Sequence, residues 1–141
     1  MISFQTMANL AQSAQMTFDN MRVYYQHYSV DWEVSKICEQ IEGLENWDIL
    51  YSDQVVGAIR LAFDDSGCYI RDLQVSPAFQ NKGMGAQALA YVETLAKQAG
   101  VQQLRLRVFK ISPAVHLYQR NGFVLDSEED NFFYLSKTLG E

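Results

Sequence analysis

A glycine-containing loop between a predicted strand and a predicted helix constrains this chain more than any other feature. The loop reads Gln80-Asn81-Lys82-Gly83-Met84-Gly85-Ala86, between an apolar run over residues 68–76 and a helical apolar pattern over residues 86–99. Glycine lets the backbone approach a ligand closely, and a helix N-terminus offers unpaired N–H groups at the positive end of its dipole. The segment therefore predicts an anion site, with phosphate as its natural ligand.

Two common phosphate-binding patterns fit this loop poorly. A P-loop requires Gly-Lys-Ser/Thr after a longer spacer, which the chain lacks. Residues 83–88 match the loose dinucleotide pattern Gly-x-Gly-x-x-Ala, but residues 76–82 separate the strand from the first glycine. The acidic residue that would hold a ribose about 20 residues later is also missing, since that zone reads Leu-Arg-Leu-Arg-Val over residues 104–108. A dinucleotide-dependent oxidoreductase is therefore disfavoured.

A different family accounts for this loop and for a second block. Residues 73–85 resemble the acyl-CoA-binding motif of the GNAT superfamily of N-acetyltransferases, in which a strand and a proline precede Gln/Arg-x-x-Gly-x-Gly/Ala. Residues 112–123, Ser-Pro-Ala-Val-His-Leu-Tyr-Gln-Arg-Asn-Gly-Phe, resemble the later motif of that family, a Leu-Tyr pair followed by Gly-Phe. Both motifs occur in the family's order, with one helix and one strand between them. In the N-terminal half the resemblance is carried by element order.

Composition limits the class of protein. The 141 residues predict a single domain, residues 1–141, with 48% hydrophobic and 20% charged residues. The net charge of −6 argues against nucleic acid and against an anionic membrane surface as partners, and it is compatible with a cationic amine. No apolar run approaches the length of a membrane span, and the N-terminus does not read as a signal peptide.

The cysteines and histidines favour a cytoplasmic protein without a metal site. Cys38 and Cys68 form neither a metal pattern nor a disulfide framework, so we interpret them as reduced core thiols. His27 and His116 are isolated, which argues against a metal centre.

Hydrophobic periodicity predicts an α/β chain with a mixed sheet. A first strand at residues 2–5 is followed by a helical pattern over residues 7–28, which is either one helix or two helices divided at residues 17–20. The next helix is capped by Asp31 and ended by Gly43. The next elements are a three-strand meander, the glycine loop and the helix that follows it. The order ends with a strand over 104–108, a helix capped by Ser112, and strands at 123–125 and 132–139. Residues 126–131 are predicted to be an acidic turn. This order is the one that the GNAT resemblance implies.

The resemblance implies a reaction and assigns residues to it. An amine attacks the thioester of acetyl-CoA, and coenzyme A leaves as a thiolate. Backbone N–H groups of residues 81–86 would cradle the pyrophosphate, Tyr118 would protonate the thiolate, and Ser112 replaces an asparagine that often contacts the cofactor. The backbone of the strand before the loop would dock the pantetheine arm and stabilise the oxyanion. The implied cofactor-binding residues are Leu73, Gln74, Val75, Gln80, Asn81, Lys82, Gly83, Met84, Gly85, Ala86 and Ser112.

The sequence does not decide which group is the general base or which residues form the acceptor pocket. Base candidates are Asp72, Glu33, Asp31 or a chain of water molecules, and for each carboxylate a solvated or capping role is favoured over catalysis. In this family the N-terminal helices usually build the acceptor pocket. Aromatic residues there could hold a cation or could simply pack on the sheet; they are Tyr24, Tyr25, Tyr28 and Trp32.

Two hypotheses of different classes follow. The first is a cytoplasmic N-acetyltransferase that uses acetyl-CoA on a small-molecule or peptide amine. The second is a non-catalytic acyl-CoA-binding module of the same fold. A homodimer is compatible with either hypothesis, and the sequence does not decide it.

Overall fold

The computed structural model describes residues 1–140, in which the chain forms seven strands and four α-helices. A short 3₁₀ helix, Pro77–Phe79, follows β4. The strands are β1 (Ile2–Thr6), β2 (Glu45–Tyr51), β3 (Gln54–Asp64), β4 (Gly67–Val75), β5 (Gln103–Phe109), β6 (Val124–Glu128) and β7 (Phe132–Thr138), and the helices are α1 (Leu10–His27), α2 (Val34–Ile41), α3 (Met84–Gln98) and α4 (Ala114–Arg120).

The strands are hydrogen-bonded in the order β1-β2-β3-β4-β5-β7-β6. The pairing of β4 with β5 is parallel, while β1 with β2, β2 with β3, β5 with β7 and β6 with β7 are antiparallel. A right-handed helical crossover through α3 is the usual way to connect two parallel neighbours such as β4 and β5. The predicted element order and the mixed sheet are confirmed.

The chain divides into two compact units, residues 1–61 with 72–85, and residues 62–71 with 86 onward. The assignment of residues 1–141 to one domain stays a prediction. In the first unit, α1 packs on α2 around three buried residues, Ala14, Ile37 and Ile41, and Trp32 and Tyr25 pack against this cluster. In the second unit, β7 lies between β5 and β6, and Leu104, Leu106 and Leu135 are buried.

Gly57 allows two backbones of the first unit to come close. A Cβ on this residue would lie 2.2 Å from the backbone oxygen of Gln74, so any side chain would force the two backbones apart. Gly57 lies beside a register shift between Ile49 and Leu50 of the neighbouring strand β2. Glycine in a strand interior is typical of such bulges and close approaches.

Helix α1 is continuous over Leu10–His27, which selects the one-helix alternative over a division at residues 17–20. The Oγ atoms of Ser13 and Thr17 each accept a hydrogen bond of 2.6 Å from the buried guanidinium of Arg60. Because these hydroxyls are engaged by a tertiary partner, they do not compete for the backbone of the helix. Asn9 caps the helix, with its Oδ1 accepting from the Gln12 N–H at 2.9 Å.

Asp31 does not cap α2, which corrects the second helix boundary. The N-cap is Glu33, in extended conformation, and its backbone oxygen accepts from the N–H groups of Lys36 and Ile37. Asp31 is exposed two residues earlier. The intervening Trp32 packs into the α1–α2 cluster, so the chain stays extended until Val34.

The predicted acidic turn at residues 126–131 is also wrong in its first half. Strand β6 continues to Glu128, and its residues pair with β7 from Val124↔Ser136 to Glu128↔Phe133. All five residues of β6 are exposed, so acidic side chains incur no burial cost there. Hairpin pairing with β7 therefore outweighs the low strand propensity of aspartate and glutamate.

Candidate active site

The glycine loop has the backbone shape of an anion-binding turn. After the 3₁₀ helix Pro77–Phe79, Asn81 adopts φ +62° and Gly83 adopts φ +81°, and α3 begins at Met84. Left-handed residues alternating with ordinary ones turn successive N–H groups towards one side of the chain. The first N–H groups of α3 have no intrahelical acceptors, so they are available to the same ligand. The loop therefore fits a phosphate group.

Side chains of the loop hold its shape rather than fill it. Gln80 donates from Nε2 to the backbone oxygen of Val75 at 2.8 Å, which ties the loop to the end of β4. The Lys82 ammonium lies 5.8 Å from the ring centre of Phe79, and that ring is 6.0 Å from the ring of Tyr51. A Cβ on Gly83 would meet nothing within 4 Å, so the space beside the turn is open.

Strand β4 continues past its paired segment with β5. The parallel register runs from Cys68↔Leu104 to Ile70↔Leu106, whereas β4 extends to Val75. Leu73 and Val75 are half-buried, and Gln74 is 8% exposed. The three residues predicted to dock a pantetheine arm thus lie in the distal part of this strand, before the loop.

A fully buried arginine is the residue that sequence reasoning missed. Arg60, on β3, is 0% exposed, and its five N–H groups each have an acceptor. Nε donates to Asn46 Oδ1 at 2.9 Å, and one terminal nitrogen donates to Thr17 Oγ1 and to Asp72 Oδ2 at 3.1 Å. The other donates to the backbone oxygen of Ser13 at 3.2 Å and to its hydroxyl. The available signal was a lone charge inside the otherwise apolar run of residues 55–63.

Asp72 balances the charge of the buried Arg60. Among the three carboxylates considered as the general base, it is the one held by an ion pair with a buried residue. Its side chain is 25% exposed, and it forms an ion pair with Arg60. The accessible side of a carboxylate in such an ion pair can attract a cation. The other two carboxylate candidates, Asp31 and Glu33, are exposed at the start of α2.

Tyr25, one of the aromatic residues predicted for the acceptor site, interacts electrostatically with Asp72 and Arg60, and Trp32 lies next to Tyr25. Burial and the Asp72 carboxylate raise the pKa of Tyr25 to about 12, and the Arg60 guanidinium opposes them. The phenol is therefore protonated at neutral pH and can donate a hydrogen bond. The Tyr25 ring lies 5.9 Å from the ring of Trp32. Tyr24 is half-buried on the same helix, whereas the Tyr28 ring meets His27 edge-on at 4.7 Å.

The second motif forms a short helix followed by a turn that brings the chain back against the helix. The Ser112 hydroxyl accepts from the Ala114 N–H at 3.2 Å. The N-cap of α4 is Pro113, without a side-chain cap hydrogen bond, so the prediction that Ser112 caps this helix is wrong by one residue. Gly122, with φ +93°, reverses the chain after the helix, and Phe123 then donates its N–H to the Tyr118 backbone oxygen at 3.0 Å. Tyr118 is 5% exposed, and its ring meets the Phe123 ring edge-on at 5.4 Å. The Leu-Tyr and Gly-Phe elements of the motif are thus parts of one turn.

The profile of the acetyltransferase (GNAT) family matches residues 9–123 of this chain. The chain belongs to the GNAT acetyltransferase family. Members of this family use acetyl-CoA as the acetyl donor. The match includes the glycine loop, the Arg60–Asp72 pair and the helix that carries Tyr118.

Solved GNAT structures share the fold over nearly the whole chain. A GNAT acetyltransferase from Elizabethkingia anophelis with acetyl-CoA bound aligns with a TM-score of 0.78 and 19% identity, covering 98% of each chain. The PaiA N-acetyltransferase from Thermoplasma acidophilum, in complex with coenzyme A, aligns with a TM-score of 0.75 and 15% identity, covering 98% of this chain and 99% of the other. These likenesses confirm the predicted GNAT-like fold.

A sequence relative is similar over part of the chain. Streptothricin acetyltransferase from Streptomyces lavendulae is 29% identical over 73 residues, which are 51% of this chain and 39% of that protein. The aligned segment thus spans well under half of the relative. The acceptor that the relative acetylates is therefore no evidence for the acceptor of this GNAT chain.

Within residues 1–140, no helix of this GNAT protein is both long and apolar enough to cross a membrane. The same described part of the chain holds no cluster of three or more histidine, cysteine, aspartate or glutamate residues suited to a metal ion. The two cysteines are free thiols, with Cys68 buried and Cys38 half-buried.

Proposed function

We propose that this chain is an N-acetyltransferase that moves the acetyl group of acetyl-CoA to a primary amine of a small molecule or peptide by direct attack. Membership of the GNAT family identifies acetyl-CoA as the acyl donor. The observation that carries the proposal for this chain is the open turn at Asn81 and Gly83 at the N-terminus of α3. Such a turn favours the pyrophosphate of coenzyme A because it combines converging N–H groups with the positive end of a helix dipole.

The distal part of β4 supplies the docking edge in this proposal. Backbone groups of Leu73, Gln74 and Val75 hydrogen-bond the pantetheine arm, and an N–H of this strand stabilises the oxyanion as the amine attacks. A fixed donor at that position is worth several kcal/mol in the transition state. The strand's extension beyond its register with β5 supports this role.

Tyr118 acts as the general acid, and Asp72 anchors the acceptor. When the tetrahedral intermediate collapses, the C–S bond breaks and the Tyr118 hydroxyl gives its proton to the departing sulfur. Asp72 attracts the ammonium form of the amine, which passes one proton to water before it attacks. The second proton that the attacking nitrogen loses, as the amide forms, restores the Tyr118 hydroxyl. Tyr25 and Trp32 supply an aromatic surface beside Asp72, and the net charge of −6 favours a cationic acceptor over nucleic acid. Free thiols favour a cytoplasmic location.

Replacing Gly83 with alanine tests the pyrophosphate cradle. The new Cβ meets nothing within 4 Å, so the substitution acts through the backbone, which alanine adopts at φ +81° only with strain of about 1–2 kcal/mol. We expect relaxation of the turn to weaken acetyl-CoA binding about tenfold, measured by calorimetric titration.

Gly100 offers a matched control for this substitution. It has φ +79°, and its added Cβ also meets nothing within 4 Å, but it lies after the C-terminal end of α3. Gly100→Ala should lose similar stability and keep the native affinity for acetyl-CoA. Equal affinities for the two variants would contradict the cradle.

A further inference from the structure

The side-chain amide of Gln74 is buried without a hydrogen-bond partner. Gln74 is 8% exposed, and neither Oε1 nor Nε2 has a partner among the described residues 1–140. Burying a polar group unpaired is costly, and most buried side-chain amides in folded proteins are satisfied. An unpaired amide in the strand before the glycine loop therefore indicates a group that a ligand satisfies.

Strand alternation places this amide on the face that carries Asp72. Side chains two residues apart on a strand lie on the same face, with about 6–7 Å between them. Asp72 contacts Arg60, and Arg60 contacts Ser13 and Thr17 of α1, so this is the α1 face of the sheet. The backbone oxygen of Gln74 lies so close to Gly57 that the strand position is fixed.

The chemistry of the unpaired group defines its ligand. A primary amide presents one acceptor and a donor NH₂ group side by side, and both are unsatisfied in Gln74. A carboxylate offers acceptors alone, an ammonium offers donors alone, and an alkyl chain offers neither. A hydroxyl can donate and accept, but only at a single oxygen, whereas a carboxamide or peptide unit offers a C=O acceptor and an N–H donor side by side, as the Gln74 amide does.

We propose that Gln74 is a specificity residue that hydrogen-bonds an amide-type group of the acceptor, while Asp72 holds the acceptor's ammonium. The preferred acceptor is therefore a cationic amine that carries a carboxamide or peptide unit about 6–7 Å from its nitrogen. This inference rests on the proposed acetyl transfer to an amine. It adds the acceptor class to that proposal and assigns the Gln74 side chain a role separate from that of its backbone.

The test compares three acceptors of equal chain length on the 141-residue chain with saturating acetyl-CoA. They are δ-aminovaleramide, δ-aminovalerate and pentylamine, which carry an amide, a carboxylate and no second polar group. We expect kcat/KM for the amide to exceed the other two by about tenfold to a hundredfold, since a site built to hydrogen-bond a group discriminates against analogues that lack it. In Gln74→Leu this preference should disappear through a raised KM for the amide, whereas a raised KM for acetyl-CoA in its place would overturn the assignment to the acceptor.

The stability of Gln74→Leu separates a binding role from a structural one. Leucine removes an unpaired buried amide, so thermal unfolding should occur at the same temperature or higher even as the preference is lost. Gln98→Leu makes the same chemical change at an exposed position and should alter neither property. Transfer to all three acceptors at equal rates, unchanged by Gln74→Leu, would overturn the role of Gln74 and leave the acetyltransferase standing. Absence of transfer to all three would overturn the proposed acceptor class, whereas acetyl transfer itself is tested separately by thiol release with a wider panel of amines.

Discussion

Replacing Tyr118 with phenylalanine is expected to lower kcat about a hundredfold or more while acetyl-CoA binds with its native affinity. A general acid contributes on the order of 10²–10⁴ to the rate, and phenylalanine removes the one proton that the proposal assigns to the leaving sulfur. A phenol hydroxyl has a proton to donate, and a phenylalanine ring has none. Steady-state thiol release and a calorimetric titration with acetyl-CoA measure the two effects separately.

The fold around Tyr118 makes this variant interpretable. The ring is 5% exposed and packs edge-on against Phe123, and phenylalanine preserves that contact. Tyr134→Phe is the matched control, since it removes a hydroxyl that donates to Glu129 on the exposed part of the β6–β7 hairpin. Native turnover in Tyr118→Phe would remove its acid role, whereas equal losses in both variants would indicate a general effect on the fold.

Replacing Asp72 with asparagine is expected to destabilise the folded chain by about 3 kcal/mol. Arg60 stays buried with its five N–H groups committed, but the carboxylate that balances its charge is gone. Removing one partner of a buried pair costs more than the pair contributes, because the remaining charge is left uncompensated in a poorly polarisable surrounding. Chemical denaturation, followed by circular dichroism, measures the change in the free energy of unfolding.

An exposed arginine–aspartate pair provides the comparison. Arg105 and Asp64 form a 2.9 Å ion pair with side chains 34% and 57% exposed. Water screens such a pair, so Asp64→Asn should change the free energy of unfolding little. If Asp72→Asn and Asp64→Asn proved equally mild, the buried guanidinium would have to be balanced by its neutral partners, and the Arg60–Asp72 pair would not be an energetic centre of the first unit.

Local pattern was sufficient for the elements that the sequence predicted correctly. The apolar periodicity before and after the glycine loop gave strand β4 and helix α3, because both elements bury one regular face. Gly83 and Gly122, which take the positive φ values on which their turns depend, were visible as glycines within recognisable motifs. The Leu-Tyr and Gly-Phe spacing of the second motif likewise corresponds to one helix and its returning turn.

The features that could not be predicted from the sequence depend on contacts between residues far apart in the chain. Thr17 lies in the stretch where the sequence allows an interruption of α1, but Arg60, 43 residues later, engages its hydroxyl. The acidic residues of β6 look like a turn until β7 pairs with them. The unpaired amide of Gln74 has no sequence signature, because an alternating glutamine in a strand ordinarily faces water. Burial and hydrogen-bond satisfaction are properties of the folded chain, so these features emerge from the structure alone.

The most direct test of the central claim is thiol release from acetyl-CoA with a panel of amines: polyamines, amino acids, aminoglycosides, lysine peptides and δ-aminovaleramide. The acetyltransferase proposal predicts release above the background without amine, with one class of cationic acceptor recovered in acetylated form by mass spectrometry. Tight binding of acetyl-CoA with no release for any amine would contradict it and would favour an acyl-CoA-binding module on the same fold.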